Sequence, residues 1–172
     1  KFGKAKIVTA TNVFAHIEDV DKLMKNTLRI LDNDGIFITE SHYLVSLIKT
    51  LQYDTIYHEH LRYYSLQSLK YLFDKYGLAI IHAKKIPTHG GSIRVYAAQK
   101  GKFKILNSAK KILSYEKKYI NWKNLNKFKD DVIKSKLNLY KILSGIKEKK
   151  QKIYGVGAPS RASTLVNYLG LT

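Results

Sequence analysis

Tyr57-His58-Glu59-His60 places two imidazoles, a carboxylate and a phenol in consecutive positions. Such a set can supply a general base together with the groups that orient it. A zinc-protease helix is excluded, because after His58-Glu59 the second ligand belongs at position 62, where Arg62 stands. A His58/His60 metal pair has no third ligand at a diagnostic spacing, so no metal site is assigned. The same residues also fit a surface turn whose histidines are merely hydrogen-bonded. His16 is a second candidate, just past a strand end at Asn12, where ligands bind in open parallel sheets. A capping or packing histidine is its plainer reading. His89-Gly90-Gly91-Ser92 offers either backbone amides that approach an anion or sugar closely, or only a tight turn. Gly155-Val156-Gly157-Ala158-Pro159-Ser160 resembles a phosphate-cradling turn without the third glycine of a dinucleotide fingerprint, and Arg161 adds a cation beside it.

These residues need elements to hold them. Ile7 to Ala10 reads as a buried strand, and Ala15 to Ile17 as a turn or helix start. Val20, Leu23, Met24, Leu28 and Leu31 recur at helical spacing behind an Asp19 N-cap. Asp32 to Gly35 reads as a turn with Gly35 left-handed, and Ile36 to Glu40 as the next strand. This strand–helix–strand order predicts an α/β fold with a parallel, helix-covered sheet. Tyr43 to Leu51 reads as a short helix. Ser65 opens another that runs through Tyr76, is closed by Gly77, and turns Leu66, Leu69, Leu72 and Phe73 inward. Leu78 to Ile86 and Ser92 to Gln99 predict an antiparallel hairpin at the end of the sheet. Residues 104–150 predict Lys-rich helices broken near Asn121 to Asn126. Lys152 to Tyr154 reads as a strand entering the second glycine turn, with a helix from Arg161 to Leu169.

The chain has 172 residues and no cysteine, which excludes a disulfide framework, a thiolate nucleophile and a cysteine zinc site within it. It starts without Met or the apolar core of a signal peptide, so the expectation is a cytoplasmic chain beginning partway through a longer protein. No apolar run reaches the roughly 20 residues of a spanning helix, and no membrane partner is expected. The net charge of +18 is uneven. Residues 1–99 carry 13 Lys and Arg against 9 Asp and Glu, whereas residues 100–152 carry 17 Lys against 4 acids. Nucleic-acid readout favours Arg forks, which are scarce here, so the Lys excess is read as a solvated helical face.

Asn12-Val13-Phe14-Ala15-His16-Ile17-Glu18-Asp19, Asp54-Thr55-Ile56-Tyr57-His58-Glu59-His60-Leu61, His89-Gly90-Gly91-Ser92-Ile93-Arg94-Val95 and Tyr154-Gly155-Val156-Gly157-Ala158-Pro159 stand in this order. Together they resemble the sugar C-methyltransferases, which use S-adenosylmethionine to methylate a carbon of a nucleotide-linked keto-deoxysugar. The resemblance implies a Rossmann-like methyltransferase sheet whose second half, with an antiparallel final strand, occupies residues 1–100. It implies a helical segment over 101–150 and the beginning of a sugar-nucleotide-binding α/β domain over 151–172. The family's cofactor glycine loop and its N-terminal zinc module would lie upstream, so zinc is expected only there and the isolated chain is expected to be inactive. Where the family carries Ala-Lys-Gly after Ala-Pro, this chain has Ser160-Arg161-Ala162, which keeps a cation.

By the same resemblance His60 is the base, with Tyr57 and Glu59 orienting substrate and base. His16 faces the keto sugar, and Asn12 lines the cofactor side. His89, Gly90, Ser92, Gly155, Gly157 and Arg161 face the sugar nucleotide. Two alternatives differ in class: an ordinary O- or N-methyltransferase of small molecules, and a non-catalytic Lys-rich module for anionic polymers.

Overall fold

Strands β1 (Ala5–Thr11) and β2 (Leu31–His42) pair in parallel across helix α1 (Val20–Ile30) in the computed structural model, which describes residues 3–171. The Asp19 carboxylate accepts from Lys22 N at 2.8 Å, satisfying one of the free amides that open any helix. Helices α2 (Leu44–Lys49) and α3 (Leu66–Lys75) follow, the second begun by Ser65 and Ser68, whose hydroxyls each accept from the other's backbone N–H at 3.0 Å. Strands β3 (Leu78–Ile86) and β4 (Ser92–Gln99) form the expected antiparallel hairpin, and β4 inserts beside β2 to give the order β1-β2-β4-β3. The fold is therefore the α/β sheet with an antiparallel final strand. No helix among the described residues is long and apolar enough to cross a membrane.

The core sits where α1, α3 and α4 (Asn107–Tyr119) cover the sheet. Phe14 is fully buried there, with its ring centroid 5.3 Å from Tyr64 and 6.1 Å from Phe37. It anchors a 3-10 turn, Phe14–His16, that carries the exposed His16. Truncating such a buried ring typically costs about 3–5 kcal/mol. Helix α5 (Trp122–Glu148) separates from α4 at Ile120-Asn121, where the Asn121 side chain caps the new helix through Asn124 N. None of the residues of α5 is buried, in keeping with a solvated Lys-rich face. Helix α6 (Ser160–Leu169) ends on Gly170 in the left-handed region.

The strand expected to be buried over Ile7 to Ala10 holds no buried residue, Ile7 being 62% exposed, because β1 is an edge strand here. Two further expectations are corrected. Gly35 is not left-handed, and Asp32 to Gly35 belong to β2. The register jumps there, from Ala5↔Leu31 to Ile7↔Ile36, so the extra residues are taken up within the strand. Gly35 is required by crowding, since a Cβ would lie 2.8 Å from Leu31 Cδ1 and 2.9 Å from Ala5 O. The last correction concerns Lys152 to Tyr154, which form no strand. A strand needs a neighbour for its amides and carbonyls. No described strand pairs with this stretch, and Val156 beyond it is 97% exposed.

Candidate functional site

The residues between Tyr53 and Tyr64 have no long helix or strand to stiffen them, so side chains fix their path. A 3-10 turn, Tyr53–Thr55, leads into tight turns through His60. Leu61 N then donates to Ala15 O at 3.1 Å, and Arg62 donates through its guanidinium to the carbonyls of Ile17 and Glu18. Arg62, the residue that excluded a zinc-protease helix, thus ties this loop to the turn that carries His16.

The tie closes a pocket of about 370 Å³ at the carboxyl ends of β1 and β2. Asn12, His16, Tyr57, Glu59, His60, His89 and Arg161 line it, all singled out from the sequence. Ser92 lies buried behind, and neither it nor Gly90, Gly155 or Gly157 lines the pocket. His58 points to solvent, 86% exposed, leaving Tyr57, Glu59 and His60 as the pocket's share of the cluster. Sequence reasoning missed Ser41 and His42, which end β2 and, with Ala15, complete the lining. An Ile-Phe-Ile strand with polar residues at its carboxyl end was the signal available for them.

Hydrogen bonds set the tautomers of two histidines. A carbonyl can only accept, so His60 Nδ1, 2.9 Å from Thr55 O, carries its proton there. The neutral ring then has its lone pair on Nε2, 3.3 Å from the Tyr57 hydroxyl, which donates to it. Tyr63 donates to the same Thr55 carbonyl at 2.9 Å. His16 Nδ1 donates to Glu59 O at 2.8 Å, so its lone pair is also on Nε2. The rings crowd together: His60 lies with its centroid 4.9 Å from His16 and 5.1 Å from His42, and His42 lies 6.0 Å from His89. Burial, and then the charges of His60, His89, Arg161 and His16, hold His42 below the usual imidazole range. No group of three His, Cys, Asp or Glu among the described residues is arranged to hold a metal ion.

Two ion pairs hold the walls. Glu40, buried at the end of β2, receives Arg94 Nε at 2.6 Å, and its other oxygen accepts from Thr88 at 3.4 Å, which fastens the turn bearing His89. Arg161 forms a two-bond fork with Asp54, 2.9 Å on each arm, and so brings the start of α6 to the turn before Tyr57. Such bidentate geometry is the stronger form of a charge-assisted bond. Thr164 donates to Ile56 O beside it at 3.1 Å.

Backbone strain marks the rim. Asn12 and His89 have φ of 54° and 53°, the left-handed region that few non-glycine residues adopt. Gly91 has φ 114°, and a Cβ on it would lie 2.5 Å from Ser46 Oγ. Gly91→Ala is therefore expected to destabilise the chain by roughly 1–3 kcal/mol, read as a lower urea midpoint at unchanged slope.

Comparison with known proteins places the chain in a family. Residues 1–83 match a methyltransferase domain, and residues 87–172 match the C-methyltransferase C-terminal domain. The pocket draws on both stretches, with His89 and Arg161 coming from the second. The chain is 32% identical to "C-methyltransferase NovU" of Streptomyces niveus over 174 residues, which is 99% of this chain but only 41% of that protein. A crystal structure of magnesium protoporphyrin IX methyltransferase from Synechocystis PCC 6803, with SAH bound, aligns at 13% identity and a TM-score of 0.45, covering 58% of this chain and 47% of that one. With the C-methyltransferase C-terminal domain matched over half its length and a methyltransferase domain before it, the chain belongs to the C-methyltransferase family.

Proposed function

We propose that this chain contributes the base-bearing part of an S-adenosylmethionine-dependent enzyme that methylates a carbon of a nucleotide-linked keto-deoxysugar. The supporting observation is the His60 tautomer: Thr55 O holds Nδ1–H, so the basic nitrogen is Nε2, in the pocket beside Tyr57. Oxygen and nitrogen already carry a lone pair that can attack the methyl group before any proton leaves. Carbon beside a ketone has none until a proton leaves.

The residues present fit the cofactor. Ser41 Oγ is buried at the pocket wall with no partner among the described residues, and Asn12 lines the same pocket just past the end of β1. These polar groups would hold the cofactor side, where the sulfonium supplies an electrophilic methyl group. His60 Nε2 takes the proton from the carbon beside the ketone, while the Thr55 carbonyl keeps the ring in place through Nδ1–H. Tyr57 releases its bond to Nε2 and turns to the sugar. Arg161, already held by Asp54, faces the anionic end of the substrate. We read residues 1–100 as the second half of the methyltransferase domain, 101–150 as the helical connection, and 151–172 as the opening of the sugar-nucleotide domain.

The test uses the full-length gene product with thymidine-, guanosine- and cytidine-diphosphate-linked 4-keto-deoxyhexoses in deuterated water. Deuterium entering the carbon beside the ketone, with methyl transfer to that carbon, is the expected result. Transfer to oxygen without exchange would establish the ordinary-methyltransferase alternative instead.

A further inference from the structure

Carbanion chemistry needs a hydrogen-bond donor for the oxygen that becomes negative as well as a base for the proton. Most polar groups of the pocket are already committed. Tyr57 O–H, once it leaves His60 Nε2, is given to orienting the sugar, His16 Nδ1–H is on Glu59 O, and Arg161 is forked on Asp54. Glu59, once ionised, only accepts. His89 stands exposed on the rim. His42 is different: it ends β2, is partly buried, lines the pocket, and makes no side-chain hydrogen bond among the described residues.

Its placement suits a donor. The His42 and His60 ring centroids are 5.1 Å apart and the planes meet at 87°. In a ketone the oxygen and the neighbouring carbon are only about 2.4 Å apart, so a base and a donor at hydrogen-bonding reach must flank them at about this spacing.

We propose that His42 is a further catalytic residue, whose neutral imidazole N–H hydrogen-bonds the enolate oxygen as His60 takes the proton from carbon. The C–H electron pair becomes the new C=C bond, the carbonyl π pair moves to oxygen, and the proton goes to His60 Nε2. The imidazolium so formed on His60 discourages a second positive charge on His42. His42 thus stays neutral, and because a neutral imidazole N–H is a weaker acid than an enol O–H, it donates without giving up the proton. This role rests on the C-methylation reading above.

The experiment compares His42→Leu and His42→Gln with the parent in the full-length protein, using the same keto-sugar panel. Deuterium exchange is read without cofactor, and kcat and KM of methyl transfer are read with it. Leu is expected to lower both exchange and kcat by about 100-fold or more, with KM little changed, as for loss of one oxyanion donor. Gln, which restores an N–H, is expected to recover at least about tenfold of that loss. Should the Leu variant fail to fold, His42→Phe, which keeps a ring without the N–H, takes its place. Leu or Phe exchanging at the parent's rate overturns the role of His42 and leaves C-methylation standing. Gln as impaired as Leu, with KM raised, also overturns it, since packing then explains both. A parent that neither exchanges nor methylates carbon overturns the enolate reading and this role together.

Discussion

His60→Ala in the full-length protein is expected to lower both solvent exchange at carbon and methyl transfer by about 10²–10⁴-fold, the share of the base alone. The fold should barely notice. His60 is only partly buried, and Tyr63 still donates to the Thr55 carbonyl after the imidazole has gone. The loss should therefore appear in kcat, with the thermal midpoint close to the parent's. Exchange measured without cofactor is the sharper readout, because it isolates the proton step from methyl transfer. Exchange that survives in His60→Ala would move the base elsewhere, and His16 Nε2, whose ring centroid is 4.9 Å from that of His60, would be the next nitrogen to test.

The largest effect on stability is expected far from the pocket, at Glu116. This carboxylate is 1% exposed on α4 and accepts from Leu66 N at 2.6 Å and Gln67 N at 2.8 Å. It thus satisfies two of the free amides at the start of α3 and places its charge at the positive end of that helix. Burial, and then the Glu116 charge, push the nearby Tyr43 phenol far above its usual range. Glu116→Ala leaves both amides without a partner and opens a void. A loss on the order of 3 kcal/mol is expected, read as a lower urea midpoint. Glu116→Gln keeps the volume but turns one amide N–H₂ towards a donor, so it should recover only part of the loss. A midpoint unchanged in Glu116→Ala would mean that water replaces the carboxylate at α3.

The legible parts of this molecule were those decided by neighbours in sequence. The apolar runs of Leu78–Ile86 and Ser92–Gln99, separated by Pro87 and two glycines, defined both strands to the residue. Asp19 and Ser65 announced their helices because capping is settled within three positions. The cluster around His60 stood out because so many titratable groups rarely follow one another. What escaped depends on partners remote in sequence. His42 carries no local pattern and gains meaning only when β2 ends against His60 and His89. Gly35 was read from its type as left-handed, whereas its need comes from Leu31 and the backbone of β1. Lys152 to Tyr154 had strand-like residues without an adjoining strand, and that is a property of the sheet and not of the tripeptide. Arg161 offers the same lesson. Its charge was evident, but its partner Asp54 lies 107 positions earlier.

That separation also sets a schedule for synthesis. Chains emerge from the ribosome at about 5–20 residues per second, so Asp54 waits on the order of 5–20 s for Arg161. By the end of that interval the four strands, α1 and α3 have all been made and can assemble around Phe14 while the nascent chain is still growing. During it the histidines are already gathered, but the wall contributed by α6 is missing and the Asp54 carboxylate faces water. The pocket is therefore finished last, by a residue that arrives after the sheet it closes.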